Sequence, residues 1–216
     1  MISTPGPALA SLPDTRREIL RYLKRSGEAD AVSTARALGI TPSAVRQHFT
    51  SLERDGLVTH RSERRGPGRP QHAFRLTPGG DALFPRNYDE LANELLSYVE
   101  DENPELLERI FSRRGRRRLE RTNARTAGLD FDARVAELTR ILDEDGYLAE
   151  FERRPDGSYL VTENNCAILG VAFRYGHACS SELEYLQAAL PDATVTRVAH
   201  RLATGHVCAY HIRRNP

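Results

Sequence analysis

The sequence predicts an α+β chain, on three observations. Apolar residues recur every three or four positions over several long segments, the spacing of amphipathic helices. Two turn-rich stretches, Arg61 to Arg69 and Arg154 to Gly157, lie between short runs of β-branched and aromatic residues, the pattern of hairpins. The charge is split: residues 1–75 hold 13 Arg and Lys against 7 Asp and Glu, whereas residues 76–216 hold 18 against 23. A basic module followed by a larger, mildly acidic one is therefore expected, and 216 residues suffice for two cores.

Residues 1–13 are rich in Pro and Ser and are expected to form a disordered tail. Asp14 is expected to cap a helix running to about Lys24, with Ile19, Leu20 and Leu23 facing a core. Gly27 to Asp30 reads as a link. A short helix follows from Val32 to Leu38, then a turn at Gly39, Ile40, Thr41 and Pro42, then a helix to about Asp55. Gly39 suits a left-handed turn, Thr41 suits an N-cap and Pro42 the first helical position. Val45, Phe49 and Leu52 make one apolar stripe. Ser43, Gln47, Thr50 and Arg54 fall on the opposite side, Arg46 flanks them, and His48 lies nearer the buried edge. Gly56-Leu57-Val58 begins a strand, RSERRGPGR makes a basic turn, and HAFRL returns. Two helices, a tight turn and a hairpin compose a winged helix–turn–helix, which places the outer face of its second helix in the major groove. The expected DNA-binding residues are Ser43, Arg46, Gln47, His48 and Thr50, with Arg64, Arg65 and Arg69 of the wing, beside Arg61, on phosphate or in the minor groove. Double-stranded operator DNA is the expected partner. An ordinary two-helix corner and a solvated hairpin are the plainer alternatives.

Thr77-Pro78-Gly79-Gly80 opens a further helix, with Leu83, Tyr88, Leu91, Leu95 and Val99 as an approximate stripe and Pro85 kinking or restarting it. This helix either serves as a dimer contact, giving a homodimer, or packs on its own wing. Pro104 starts another, with Leu106, Leu107, Ile110 and Phe111 apolar, ending in Arg113 to Arg118 (RRGRRR), a phosphate grip or a solvated face. Phe131, Val135, Leu138 and Leu142 mark the next helix, with Gly146 as its stop. A hairpin follows over Tyr147–Phe151 and Ser158–Val161, then helices, then strands around Thr194–His200 and His206–Ile212. The expected organisation is a tail (1–13), a winged helix–turn–helix domain (14–78), a helical linker or dimerisation region (79–128) and an α+β cysteine-containing sensor domain (129–216).

No apolar run is long enough to span a bilayer, and the N-terminus lacks the basic start and apolar core of a signal peptide, so a cytoplasmic protein is expected. Three cysteines, an odd number, argue against a disulfide framework. There is no Gly-rich phosphate loop, His-Glu-x-x-His motif or nucleophile elbow, and nothing pairs Tyr210 and His211 with a substrate, so no enzyme is expected. Cys166, Cys179 and Cys208 are separated by twelve and twenty-eight residues. Thiolates favour soft metals and iron–sulfur clusters. The alternative is three buried cysteines serving as small apolar residues, and the lack of a close pair weakens structural zinc.

The wing stretch GPGRPQHAFRLTPGGDALFPRNYDELANELL (Gly66 to Leu96) and the tail segments NNCAILGVAFRYGHACSSELEYLQAAL and GHVCAYHI, with the helix–turn–helix, resemble the SufR-type iron–sulfur-sensing winged-helix repressors. The likeness covers most of residues 14–213. It implies an iron–sulfur cluster, of the [4Fe–4S] type, held by Cys166, Cys179 and Cys208, in a homodimer that represses cluster-assembly genes when the cluster is bound. The family's pattern has gaps of twelve, thirteen and fourteen residues between four cysteines, and its third position falls here on Ala193. The fourth ligand is left open among His177, Glu182, His200, His206 and an external group. The alternative is a winged-helix repressor responding to a small organic effector or another metal in its C-terminal domain.

Overall fold

The computed structural model describes residues 7–63, 71–203 and 205–216. The chain divides into two compact units, Met1–Arg86 and Asn87–Pro216.

The first unit runs α1 (Pro7–Ala10), α2 (Asp14–Ser26), β1 (Glu28–Ala29), α3 (Ala31–Leu38), α4 (Pro42–Arg54), β2 (Val58–Glu63), β3 (Gln71–Leu76) and α5 (Pro78–Ala82). Its three strands lie in the order β1-β3-β2, all antiparallel. Ile19, Leu20 and Leu23 of α2 and Val45, Phe49 and Leu52 of α4 are fully buried together. The helix starts follow the local chemistry. Asp30 accepts the Ser33 N–H at 2.7 Å, and Thr41 accepts the Ala44 N–H at 3.2 Å, each answering a donor that the helix itself leaves unpaired. Between them Gly39 takes φ 71°, a left-handed conformation that sets the turn.

Three expectations are corrected here. The tail is helical at Pro7–Ala10, because Leu9 is buried in the same core as α2. Asp14 does not cap α2: Pro13 holds that position, and Asp14 pairs with Arg17 within the first turn. Residues 27–30 are more than a link, since Glu28 and Ala29 pair with Arg75 and Phe74 as a third strand.

Past the wing, Thr77 caps α5 by accepting the Gly80 N–H at 3.0 Å while its hydroxyl donates to the Gly56 carbonyl at 2.6 Å. This draws α5 onto the start of β2 so closely that a Cβ at Gly80 would stand 2.0 Å from the Leu57 carbonyl oxygen. α5 ends before Pro85 and a new helix begins at Tyr88, the restart that proline favours.

The second unit runs α6 (Tyr88–Glu102), α7 (Pro104–Thr126), α8 (Phe131–Leu142), a π turn (Asp143–Tyr147), β4 (Ala149–Arg153), β5 (Tyr159–Glu163), α9 (Leu169–Ala172), α10 (His177–Ala189), β6 (Ala193–Ala199) and β7 (Cys208–Arg214). The strands form an antiparallel sheet in the order β4-β5-β7-β6. Val135, Leu138 and Leu142 of α8 and Tyr185 and Leu186 of α10 bury one face of it against Tyr159, Val161, Val195, Tyr210 and Ile212. Leu107 and Phe111 of α7 build a smaller cluster with Ala172, Tyr175 and Ala178.

The arginine run Arg113 to Arg118 does not end a helix, as expected, but lies inside α7. The reason is Arg118, which is 7% exposed. Its Nη1 donates to Glu182 Oε2 at 2.5 Å, and its guanidinium lies 4.3 Å from the centre of the Tyr185 ring. An arginine buried with its counter-charge lets the helix continue through a sequence that reads as solvated. The α6 stripe also differs. Leu96 and Val99 pack inward, whereas Tyr88, Leu91, Leu95 and Tyr98 are exposed.

Candidate functional site

Two sets of residues are candidates. The first is the outer face of α4. Val45, Phe49 and Leu52 fix the roll of the helix by pointing into the core. Ser43, Arg46, Gln47 and Thr50 are consequently exposed together, and His48 is half-buried. Thr50 donates its hydroxyl to the Arg46 carbonyl at 3.0 Å, so it offers an outside partner its methyl group and acceptor lone pairs. Arg46 and Gln47 have the reach and the donors for base edges or phosphate. Arg64, Arg65 and Arg69 lie outside the described residues. Arg61 is held at the root of the wing, where Glu28 binds it through both Nε and Nη2, at 3.1 and 2.6 Å.

Residues 13–60 match the model of the bacterial regulatory protein, arsR family. The match covers α2 to α4 and the start of β2, the elements that carry the exposed α4 face. Residues 13–60 therefore form a helix–turn–helix domain of the kind with which bacterial transcriptional regulators bind DNA. Among solved structures it is similar to Bacillus subtilis PadR in complex with operator DNA, with 17% identity, 61% of this chain and 91% of that chain covered, and a TM-score of 0.30. It is also similar to NadR in complex with 4-hydroxyphenylacetate, with 26% identity, coverage of 64% and 85%, and a TM-score of 0.30. Scores this low give neither likeness structural weight. No curated protein is similar enough to match. Replacing Gln47 with alanine is expected to lower discrimination between a preferred duplex and single-base variants by about 1–3 kcal/mol, the worth of a bidentate base contact. Competition binding against a panel of duplexes measures it, and equal discrimination would remove Gln47 from base reading.

The second set is the cysteines. Cys166 lies just past β5, in a loop tied down by Asn165, whose N–H donates to the Tyr147 carbonyl at 2.9 Å and whose side-chain amide donates to the Gly146 carbonyl at 2.7 Å. Cys179 lies in the first turn of α10, and Cys208 is the first residue of β7. All three are free and half-buried. Cys166 and Cys179 pack against the Phe111–Tyr175 cluster, and Cys208 against the sheet core.

The three thiols share one cause of perturbation. Burial pushes each of them up from the ordinary range, and Cys208 and Cys166 add to the shift at Cys179, as Cys166 does at Cys208. Two of the sulfurs receive backbone N–H groups. Arg201 donates to Cys208 Sγ at 3.5 Å, and the Ile168 amide favours the Cys166 thiolate. Arg197 holds the Cys179 carbonyl through Nη2 and lies close enough to favour the Cys179 and Cys208 thiolates, and Arg201 does the same for Cys166.

Among the described residues, no three His, Cys, Asp or Glu side chains stand close enough together to hold a single metal ion. A four-iron cubane has a different requirement. Each thiolate binds a separate iron, so its sulfurs stand further apart than the ligands of one ion. Half-buried thiols, amide donors to sulfur and nearby cations are the surroundings that such a cluster takes. Cys166, Cys179 and Cys208 are the residues that would hold such a cluster.

The positions left open in the sequence are now placed. Ala193 begins β6 opposite Arg214, while Cys208 opens β7 opposite Glu163. Six residues of strand, about 20 Å, separate the two ends, so a cysteine at Ala193 would not join the other three. His177 is exposed and stacks on Phe111, and His206 is exposed. Glu182 is committed to Arg118 and to the Tyr147 hydroxyl, at 3.3 Å. His200 keeps a buried Nε2 with no hydrogen-bond partner among the described residues.

Sequence reasoning missed Glu163. It is 3% exposed, and its Oε1 has no hydrogen-bond partner among the described residues. Burial, reinforced by the charge of Glu182 and opposed by Arg118 and Arg197, pushes its carboxyl up to about 8. The strand period could have found it, because Tyr159, Val161 and Glu163 alternate onto the buried face of β5.

Proposed function

We propose that the chain is a homodimeric repressor whose hold on operator DNA depends on an iron–sulfur cluster of the [4Fe–4S] type, bound by Cys166, Cys179 and Cys208. What supports this reading is that two neighbouring arginines tie the three cysteine segments together: Arg197 donates to the Cys179 carbonyl, and Arg201 donates its N–H to Cys208 Sγ and its Nη1 to the Asn164 carbonyl, two residues before Cys166. When bound, the cluster supplies a redox- and oxygen-sensitive centre whose loss reports iron–sulfur supply.

The protein's own part is to hold the three segments in register and to screen the centre from water. β5 and β7 fix Cys208, α10 fixes Cys179, and the Asn165 clasp fixes the Cys166 loop. Binding of the cluster alters DNA affinity only so far as the two ligands favour the same conformation, and the coupling is reciprocal. The SufR-type resemblance gives the sign, with the cluster-bound form repressing cluster-assembly genes. Dimerisation is supported by α6, whose exposed Tyr88, Leu91, Leu95 and Tyr98 span an arc of about 80° on one face. A self-complementary apolar stripe suits a two-fold contact, and two-fold proteins read paired half-sites.

The test is anaerobic DNA binding by the full chain, with and without reconstituted cluster, on a duplex that the protein itself selects from random sequence. The reading predicts a ~5–150-fold difference in Kd, with the cluster-bound form tighter. Equal affinity would contradict it.

A further inference from the structure

We infer that Glu163 supplies the fourth ligand of the cluster, through Oε1; the inference rests on the cluster reading above. Three observations carry it. First, Glu163 and Cys208 are directly paired across β5 and β7, so their side chains leave the same face of the sheet about 5 Å apart at Cβ. That face is the one covered by α10, which carries Cys179. Second, Cys166 lies three residues beyond Glu163, and Asn164 between them accepts from Arg201 Nη1 at 3.3 Å, the residue whose N–H donates to Cys208 Sγ at 3.5 Å. Third, Oε1 is buried without a hydrogen-bond partner among the described residues, an arrangement that costs stability unless something answers it.

Charge favours the same assignment. A four-iron core of charge two plus, with three thiolates and one carboxylate, is a dianion. Arg197 and Arg201 lie among these ligands, Arg197 donating to the Cys179 carbonyl and Arg201 to Cys208 Sγ, while Arg118, which also acts on Glu163, is already paired with Glu182. The rival donors are placed less well. Turning Glu182 toward the thiols would strip Arg118 of its buried counter-charge. His200 Nε2 and Glu182 Oε1 are likewise buried without a hydrogen-bond partner among the described residues, so the direct pairing with Cys208 is what singles out Glu163.

The experiment is anaerobic reconstitution of the full chain as wild type, Glu163→Gln, Glu163→Cys, Glu182→Gln and His200→Ala, read by iron and sulfide content, electron paramagnetic resonance and reduction potential. The wild type is expected to hold about four irons and to be silent when oxidised. Glu163→Gln is expected to lose the iron that lacks a protein ligand, falling to about three irons with the signal of an oxidised three-iron cluster. Glu163→Cys is expected to return to about four irons with a shifted potential, which also shows that the site folds without the carboxylate. Glu182→Gln and His200→Ala should keep four. If Glu163→Gln keeps all four irons, or Glu163→Cys leaves the potential where it was, Glu163 is not the ligand although the cluster stands. If His200→Ala or Glu182→Gln loses the fourth iron instead, that residue takes the role. A wild type that takes up no iron and sulfide removes the cluster and its ligand together.

Discussion

Replacing Arg118 with alanine is expected to destabilise the Asn87–Pro216 unit by about 3–5 kcal/mol, the cost of leaving a buried charge without its partner. Arg118 is 7% exposed and Glu182 5%, so solvent screens neither. Glu182 would keep the Tyr147 hydroxyl, at 3.3 Å, and the distant Arg114, at 4.0 Å. The carboxylate would also sit beside Glu163 with less opposing charge, because Arg118 is one of the two cations that offset Glu163. The same account sets a limit on what the pair contributes. A chain carrying both Arg118→Met and Glu182→Leu removes the two charges together and is expected to lose much less than the single change. Thermal or urea unfolding of the three proteins checks both statements. A small cost for Arg118→Ala, or a double variant that loses as much as Arg118→Ala does, would mean that the ion pair does not hold α7 to α10.

Phe49→Ala is the second large effect, expected to cost about 3–5 kcal/mol in the first unit. Phe49 is 0% exposed and stacks on Phe74, with ring centres 4.0 Å apart and an angle of 14° between planes. It therefore joins the recognition helix to the wing, and its loss opens a cavity at the junction that orients the α4 face. A domain's whole stability is of the order of 5–15 kcal/mol, so the change should weaken DNA binding without touching a DNA-facing residue. Hydrogen exchange in the full chain should quicken across α2 to α4. Unaltered exchange there would contradict the role given to this residue.

What the sequence made legible was local. The turn between α3 and α4, the Thr41 cap, the Val45–Phe49–Leu52 stripe and the hairpin around Gly157 follow from neighbours a few residues apart, and each is found where its residues place it. Long-range pairing was not legible. β1 is two residues long and exists because Glu28 and Ala29 meet β3 more than forty residues later. The continuation of α7 through six residues with five arginines depends on Glu182, sixty-four positions from Arg118. The helical spacing puts Val99 on one face with Tyr88, Leu91 and Leu95, but tertiary packing turns Leu96 and Val99 inward and leaves Tyr88, Leu91, Leu95 and Tyr98 outside. The candidate site shows both sides. The SufR-type resemblance pointed to the three cysteines, whereas Glu163, which the strand period puts on the buried face of β5, is set beside Cys208 only by the register of β5 and β7.

Metal analysis of the anaerobically reconstituted chain decides whether the three thiols meet on one inorganic centre. Iron and acid-labile sulfide would be measured beside the visible spectrum for the wild type and for the chain with Cys166, Cys179 and Cys208 all changed to Ser. The account predicts a brown wild type with about four irons and four sulfides per chain, and a colourless triple variant. A colourless wild type, or a triple variant with the same iron and sulfide content, would contradict it.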